Sequence, residues 1–431
     1  MNAPPPARSY YEATVDRPQF LSRPAGQERA DVCVIGGGLT GISAALELAE
    51  AGLTVMVLEA GRIGGGASGR NGGQINYGLS PGATGLLDLF DRDRARALMD
   101  LAEEAIALID RRVERYGIDC DLARGFIYGS VKPRRMAHMR EEVAALHDVF
   151  GLDRFRLLDR QQAIAETGSQ RFVGGLYDPG SGHIHSLKYC LGLANAAVAA
   201  GARLYEGAPV VSVDPDAGVV RTADAEIRAD HIVLAANAYL DGLGRSFRSG
   251  GLAARALGVG TWVMTTEPLD PGIRERLLPG NPCVCDDNAV LDYFRFTADN
   301  RLLFGGGVSY MGQEDGPKAA GLLRRRVAVT YPELADCPAS HVWGGKVSIT
   351  MNRLPDLGRA GKRLFYAQGF SGHGVAVTGL AGKLIAEAVR GTADRFDVMA
   401  SVPHRAFPGG PLLRQPLVTL GRLWYRLMDL M

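Results

Sequence analysis

The chain has 431 residues, 48 Lys and Arg against 47 Asp and Glu, a net charge of +1 and 46% hydrophobic residues. At roughly 150 residues per domain that length allows two or three domains with sizeable cores, and the near-neutral balance excludes the charge footprint of a nucleic-acid or anionic-membrane binder. No apolar run approaches the roughly 18 residues of a transmembrane segment.

Six cysteines, Cys33, Cys120, Cys190, Cys283, Cys285 and Cys337, are scattered without a disulfide framework or zinc-site spacing. We therefore expect reduced thiols, no metal and a cytoplasmic protein. Met1-Asn-Ala-Pro-Pro-Pro6 lacks the basic and apolar regions of a secretory signal.

Residues 1–29 read as an N-terminal arm, proline-rich and then polar, laid over the body or partly disordered. The organising stretch follows. Asp31-Val-Cys-Val-Ile35 is a short β-branched run that predicts a buried strand, Gly36-Gly-Gly38-Leu39-Thr40-Gly41 a tight turn, and Ile42 to Ala51 an amphipathic helix. A second apolar run, Thr54 to Leu58, ends on Glu59. Strand, glycine turn, helix and strand with a terminal acid form the dinucleotide fingerprint. Gly36 permits the turn, Gly38 lets a pyrophosphate approach the backbone, Gly41 lets the helix pack on the sheet, and the N–H groups around Leu39 and Thr40 face the phosphates. Glu59 stands where an acid accepts hydrogen bonds from ribose hydroxyls, which argues against a 2′-phosphate and hence against NADP.

The next residues run Ala60-Gly-Arg62-Ile-Gly-Gly-Gly-Ala67-Ser68-Gly-Arg70-Asn71-Gly72-Gly73-Gln74. So many glycines cost backbone entropy, and close approach to a large ligand offsets that cost. The alternative is a mobile surface loop. Long helices are predicted over 93–116 and 133–150 with a strand at 125–129 between them, then a turn-rich strand region over 174–185 and a helix over 187–200. Strands at 209–213, containing Val211, and 226–234, running into Ala235, bring the chain back toward the nucleotide site. Residues 258–266, 290–297 and 302–308 are strand-like, with turns at 298–300 and 305–307. Finally a buried strand over 363–367 leads into Gly369-Phe-Ser371-Gly372-His373-Gly374 and an alanine-rich helix that stops at Gly391. A helix N-terminus at Gly374 stabilises negative charge in front of it; a reduced flavin carries such charge, and a nicotinamide does not. That favours FAD over NAD.

Several of these segments resemble the FAD-dependent D-amino-acid oxidase and sarcosine oxidase superfamily: the Gly36–Gly41 turn, Ala67 to Gln74, Gly182-His-Ile-His185, Leu291 to Leu302 and Gly369 to Gly374. Within it the gamma-glutamylputrescine oxidase group is most similar, on segments running from Ser9-Tyr-Tyr11 to Pro408-Gly-Gly410. The resemblance implies an α/β fold, a Rossmann-like FAD-binding domain of the glutathione-reductase type joined to an antiparallel-sheet substrate domain. We expect FAD-domain pieces at 30–85, 155–240 and 341–400, substrate-domain pieces at 86–154 and 241–340, and a tail at 401–431 that either packs on the body or lies on a membrane surface. It implies oxidation of an amine, with O2 reduced to H2O2; a dehydrogenase passing electrons to a quinone or partner subunit is the alternative, motivated by the basic, apolar tail. Val347 stands at about the place of the cysteine that holds flavin covalently in monomeric sarcosine oxidases, so FAD is expected to be noncovalent. Gly65 departs from a bulkier residue in the group. The substrate-side candidates are His185, Tyr293, Arg295, Lys346 and His373, with Arg295 placed to pair with a substrate carboxylate or merely solvated on its strand.

Overall fold

The computed structural model describes residues 9–242, 251–309 and 316–408. The tail expected to pack or lie on a membrane falls outside them beyond 408. Among the described residues, no helix is long and apolar enough to cross a membrane.

Two sheets carry the chain. In the first, Gly26–Ile35 is central and pairs in parallel with Val55–Leu58 on one side and Ala225–Leu234 on the other. Leu364–Gln368 extends it in parallel beyond Ala225–Leu234, and Arg203–Tyr205 does so beyond Val55–Leu58. Asp356–Ala360 closes one edge antiparallel. Val32 to Ile35 and Val55 to Leu58 are buried throughout, as expected for parallel strands covered on both faces. The second sheet has nine strands, ordered Ala339–Thr350, Ala256–Thr266, Leu302–Ser309, Asp292–Phe296, Cys283–Asp286, Ala123–Ser130, Gly174–His183 and Gln74–Ile75, with Arg156–Leu158 beside Gly174–His183. It is antiparallel except where Cys283–Asp286 runs parallel to Ala123–Ser130.

The boundaries between the two units differ from those expected. Arg156–Leu158 and Gly174–His183, assigned above to the FAD domain, pair in the second sheet, with Gly174 opposite Ser130 and His183 opposite Ala123. Ala339–Thr350 does so too, along Ala256–Thr266. Strand propensity says nothing about which sheet a strand joins, and these long-range pairings decide it. The turn expected at 305–307 lies within strand Leu302–Ser309. Its glycines make room for neighbours: a Cβ on Gly305 would stand 2.1 Å from the Tyr293 ring, and one on Gly306 2.5 Å from Asp292 Oδ1.

Five helices matter for the site: α1 (Tyr10–Ala13), α2 (Leu39–Glu50), α3 (Arg92–Tyr116), α4 (Ser186–Ala199) and α5 (Gly374–Val389). α2 and α5 follow the two glycine loops and cross closely. A Cβ on Gly382 of α5 would lie 2.4 Å from Thr40 O and 2.6 Å from Ser43 Cβ. The Ser43 hydroxyl donates to Gly379 O at 2.5 Å, and buried Arg112 of α3 donates to Ser43 Oγ at 2.7 Å and to Glu47 at 2.8 Å. Glycine at 382 therefore sets how near the two loops come. Gly382→Val should push the helices apart and cost about 1–3 kcal/mol as an overpacked core, read as a lower urea midpoint at unchanged m-value.

Candidate functional site

A cavity of about 1150 Å³ opens where the two glycine loops meet. Gly36 adopts φ +109, and a Cβ there would lie 2.7 Å from Ala235 O, so the turn admits only glycine. α2 begins at Gly38, which supplies no side-chain cap, and α5 begins after His373, which supplies none either. Neither N-cap residue supplies a side-chain cap, though Leu39 N at the start of α2 donates to Ser68 Oγ; the remaining first-turn N–H groups lie at the cavity. Glu59 Oε2 accepts from Gly37 N at 2.7 Å and Oε1 from Gly61 N at 2.8 Å. Two backbone donors fix the carboxylate at the cavity wall with lone pairs to spare for hydroxyls. The Ser68 hydroxyl, 2.9 Å from Leu39 N, stands over the first turn of α2. Among the described residues no group of three metal-ligand side chains forms.

Of the residues expected to bind a cofactor, Gly36, Gly38, Leu39, Thr40, Glu59, Ala60, Arg62, Ala67, Ser68, Arg70, Asn71, Ala235, Ser371, Gly372 and Gly374 line the cavity. Gly41 does not, but packs as expected: a Cβ on it would lie 2.0 Å from Gly36 O. Val211 is 53% exposed, and its neighbour Val210 faces the cavity instead. Both residues precede the strand, which begins at Ser212 and not at 209 as expected. Gln74 is also displaced from its expected role. Its side chain donates to Val284 O at 2.8 Å inside the second sheet. Gly72, Gly73 and Gly369 shape the loops away from the lining. Gly72 O accepts from Arg295 Nε at 2.7 Å, a Cβ on Gly73 would lie 2.2 Å from Ile184 O, and Gly369 takes φ +73 against Thr350.

The substrate-side candidates fare differently. Arg295 is 2% exposed and spends its guanidinium on Gly72 O, Phe296 O, Ile184 O and the Tyr11 hydroxyl. It is an internal tie between strand and loop, neither a carboxylate receptor nor a solvated arginine. His185 is buried too. Its Nδ1 accepts from Lys188 N at 3.1 Å, capping α4, which leaves Nε2 protonated toward Thr14 Oγ1 at 3.0 Å. With both ring nitrogens committed, His185 has no atom for a substrate. Tyr293 is half-buried, its ring against Gly72 and Gly305. His373 stands at the start of α5, with Nδ1 unpartnered among the described residues. Lys346 is exposed, its Nζ 5.3 Å from the Tyr239 ring centroid and next in sequence to Val347, and both Tyr239 and Val347 line the cavity.

Other lining residues carry no motif. Glu12, Val15, Asp16 and Arg17 reach the cavity from the N-terminal arm, Tyr239 from the segment after Ala235, and Ser348 from the second sheet. Ser348 arrives because strand Ala339–Thr350 runs into the 369–372 loop, where Ser371 N donates to Ser348 O at 2.9 Å. The only hint was the Ser9-Tyr-Tyr11 motif, which says that the arm matters but not what it touches. The cysteines Cys33, Cys120, Cys190, Cys283 and Cys285 are buried, and burial pushes the thiols of Cys33, Cys120 and Cys190 up to about 12.

The residues fit the cofactor that the sequence implied: a glycine cradle that any Cβ would fill, two helix N-termini and a fixed acid in one cavity. The family described as "DAO: FAD dependent oxidoreductase" matches residues 31–388. Similar over nearly the whole chain is the gamma-glutamylputrescine oxidoreductase of Escherichia coli (strain K12), 41% identical over 422 residues, 98% of each protein. The probable oxidoreductase OrdL of Haemophilus influenzae is 38% identical, over 98% of this chain and 97% of that one. The crystal structure of glycine oxidase from Geobacillus kaustophilus superposes with a TM-score of 0.71 at 26% identity, covering 84% of this chain and 95% of that one.

Two buried histidines and the half-buried His373 give the assembly a pH signature. Desolvation lowers His183 and His185 to about 3 and His373 to about 4, aided by Arg295 for the first two and by Arg353 for the third. Their folded values lie below the ordinary value of 6.5, so below that pH the unfolded chain binds protons the native rings refuse. Stability is full above pH 6.5 and falls toward pH 4, on the order of 1 kcal/mol per histidine per pH unit. Asp286, raised to about 6 mainly by burial, works in the opposite sense but is a single group. The melting temperature should therefore drop between pH 6.5 and 5, and a flat melting temperature over that window would contradict neutral buried rings.

Proposed function

This chain belongs to the DAO family of FAD-dependent oxidoreductases, and from that premise we propose that it oxidises gamma-glutamylputrescine or a related primary amine to the imine. Water then releases the aldehyde, and O2 is reduced to H2O2. The observation that carries the reading is the 41% identity to the gamma-glutamylputrescine oxidoreductase over 98% of both proteins. We take the site to be cytoplasmic, in keeping with free cysteines throughout the described residues.

In this reading Glu59 holds the ribose, the N–H groups of Gly38 and Thr40 with the Ser68 hydroxyl bound to Leu39 N hold the pyrophosphate, and the loop from Ser371 to Gly374 receives the ring. Neither a cysteine nor a histidine is among the described lining residues, and Val347 offers no nucleophile, which supports a noncovalent cofactor. Bound FAD supplies the acceptor for a hydride leaving the carbon beside the amine. The protein's part is to hold that carbon at the ring, exclude water and stabilise charge through the N-terminus of α5. Desolvation keeps His373 neutral at any assay pH above about 4, so its ring adds hydrogen bonding and no charge.

With Arg295 internal, Lys346 becomes the candidate for the far carboxylate of a glutamyl substrate. Its ammonium stands over a cavity-lining tyrosine, a cation–π contact that leaves N–H groups outward, and among the described residues it pairs with no carboxylate. Lys346→Met should raise KM for gamma-glutamylputrescine about tenfold, the loss of roughly 1.4 kcal/mol, with kcat unchanged and no effect on KM for putrescine, which lacks the carboxylate. Equal losses for both amines would remove Lys346 from carboxylate recognition.

An ammonium has no lone pair to assist hydride departure, so the amine must be neutral. As no histidine lines the cavity among the described residues, its proton is lost to solvent before binding. Thus kcat/KM should climb from pH 7 toward the amine's own value near about 10, without an inflection near 6.5 from His373. The direct test is an anaerobic spectrum of the purified protein before and after gamma-glutamylputrescine, then admission of air. Bleaching of the flavin band with recovery in air is expected. A band that bleaches but does not recover would turn the reading toward a dehydrogenase, and one that does not bleach would exclude this substrate.

A further inference from the structure

The N-terminal segment lies outside the family-matched residues 31–388, yet its first described residues are buried. Ser9 and Tyr11 are 0% exposed and Tyr10 3%. Ser9 Oγ caps α1 by accepting from Glu12 N at 3.1 Å. Tyr10 donates to Asp299, in the turn after strand Asp292–Phe296, at 2.6 Å, and Tyr11 accepts from Arg295 of that strand at 3.0 Å, while Thr14 meets His185. The segment is thus pinned at its start, and it then passes along the cavity with Glu12, Val15, Asp16 and Arg17 in the wall.

Arg17 is where the strap meets the nucleotide loop. Its side chain is 7% exposed. Nε donates to Glu12 Oε2 at 2.9 Å, Nη2 makes a second, short bond to Glu12, and Nη1 donates to Ile63 O at 2.8 Å. Glu206 stands 3.8 Å from the same guanidinium and accepts from Ile63 N at 2.7 Å. Two carboxylates match the charge of Arg17, so it is poorly placed to act as a phosphate anchor. What it does instead is close a clamp on the Ile63 peptide, held at its oxygen by Arg17 and at its nitrogen by Glu206.

Ile63 in turn touches the phosphate turn. Its side chain is fully buried, with Cδ1 2.4 Å from where a Cβ on Gly37 would be, and the next residue, Gly64, donates to Gly37 O at 2.8 Å. We infer that residues 9–17 form a strap that retains the dinucleotide, in which Arg17 is a positioning residue that acts through Ile63 to set the shape of the Gly36–Gly38 turn. The inference rests on the FAD reading above, but it concerns how tightly the cofactor is held and leaves the substrate open.

The test is FAD binding to the full-length chain stripped of flavin, followed by quenching of FAD fluorescence, for wild type, Arg17→Met, Arg17→Lys, Ile63→Ala and the Arg17→Met/Ile63→Ala double variant. Arg17→Met should raise Kd for FAD at least tenfold. Arg17→Lys, which keeps the charge and one donor but not the fork, should recover part of the affinity. Because the two residues act in series, the double variant should bind no more weakly than the worse single one. An Arg17→Met Kd within twofold of wild type, or single-variant effects that multiply, overturns the strap; if Arg17→Met does not fold, Ile63→Ala with unchanged Kd does the same. Wild type that takes up no FAD would instead overturn the cofactor reading.

Discussion

The site depends on how closely α2 and α5 approach. Each glycine loop ends in a helix whose N-cap residue supplies no side-chain cap, and each alone would be an ordinary strand-to-helix turn. They face one cavity because Gly382 lets α5 lie against Thr40 and Ser43, and because the Ser43 hydroxyl bridges to Gly379 while Arg112 holds it from α3. A contact with no chemistry of its own therefore decides whether the two anion-favouring helix ends act on one ligand. Glu59, bonded to Gly37 and Gly61, completes the arrangement by holding its carboxylate at the same wall.

Around this centre the second sheet serves partly as wall and partly as anchor. Strand Ala339–Thr350 runs from the sheet into the 369–372 loop and delivers Val347 and Ser348 to the cavity. Asp292–Phe296 works from the other side: Arg295 grips Gly72 and Ile184 at their carbonyls, and Tyr293 lies over Gly72. Polar residues that look functional in a strand can thus be the means by which one unit holds another's loop in shape. The desolvation they suffer is offset by hydrogen bonds to backbone carbonyls that would otherwise be buried without donors.

Local pattern carried the nucleotide half of the site well. The turn at Gly36, the packing role of Gly41, the acid at Glu59 and the second glycine loop all depend on neighbours within about 25 residues in sequence, and periodicity and glycine placement report such neighbours. What failed was set by distant partners. Arg295 and His185 read as candidate substrate ligands because nothing nearby reveals that Gly72, Ile184, Tyr11 and Thr14 consume their hydrogen bonds. The choice of Val211 over Val210 missed by one residue because the strand expected at 209–213 begins only at Ser212, so alternation there does not decide which side chain faces the cavity. The N-terminal arm reads only as polar chain laid over the body or partly disordered, since the burial of Tyr10 and Tyr11 arises from contacts with residues far away in sequence.

The noncovalent FAD of the proposed reading, with Val347 in the cavity wall, has a thermodynamic consequence. A cofactor held only by geometry stabilises the folded chain by mass action, by about 2.7 kcal/mol when free ligand is 100 times its dissociation constant, and by nothing when it is absent. The durability of this protein in a cell is then tied to the local supply of flavin, and a shortage of the cofactor would be felt first as faster turnover of the polypeptide.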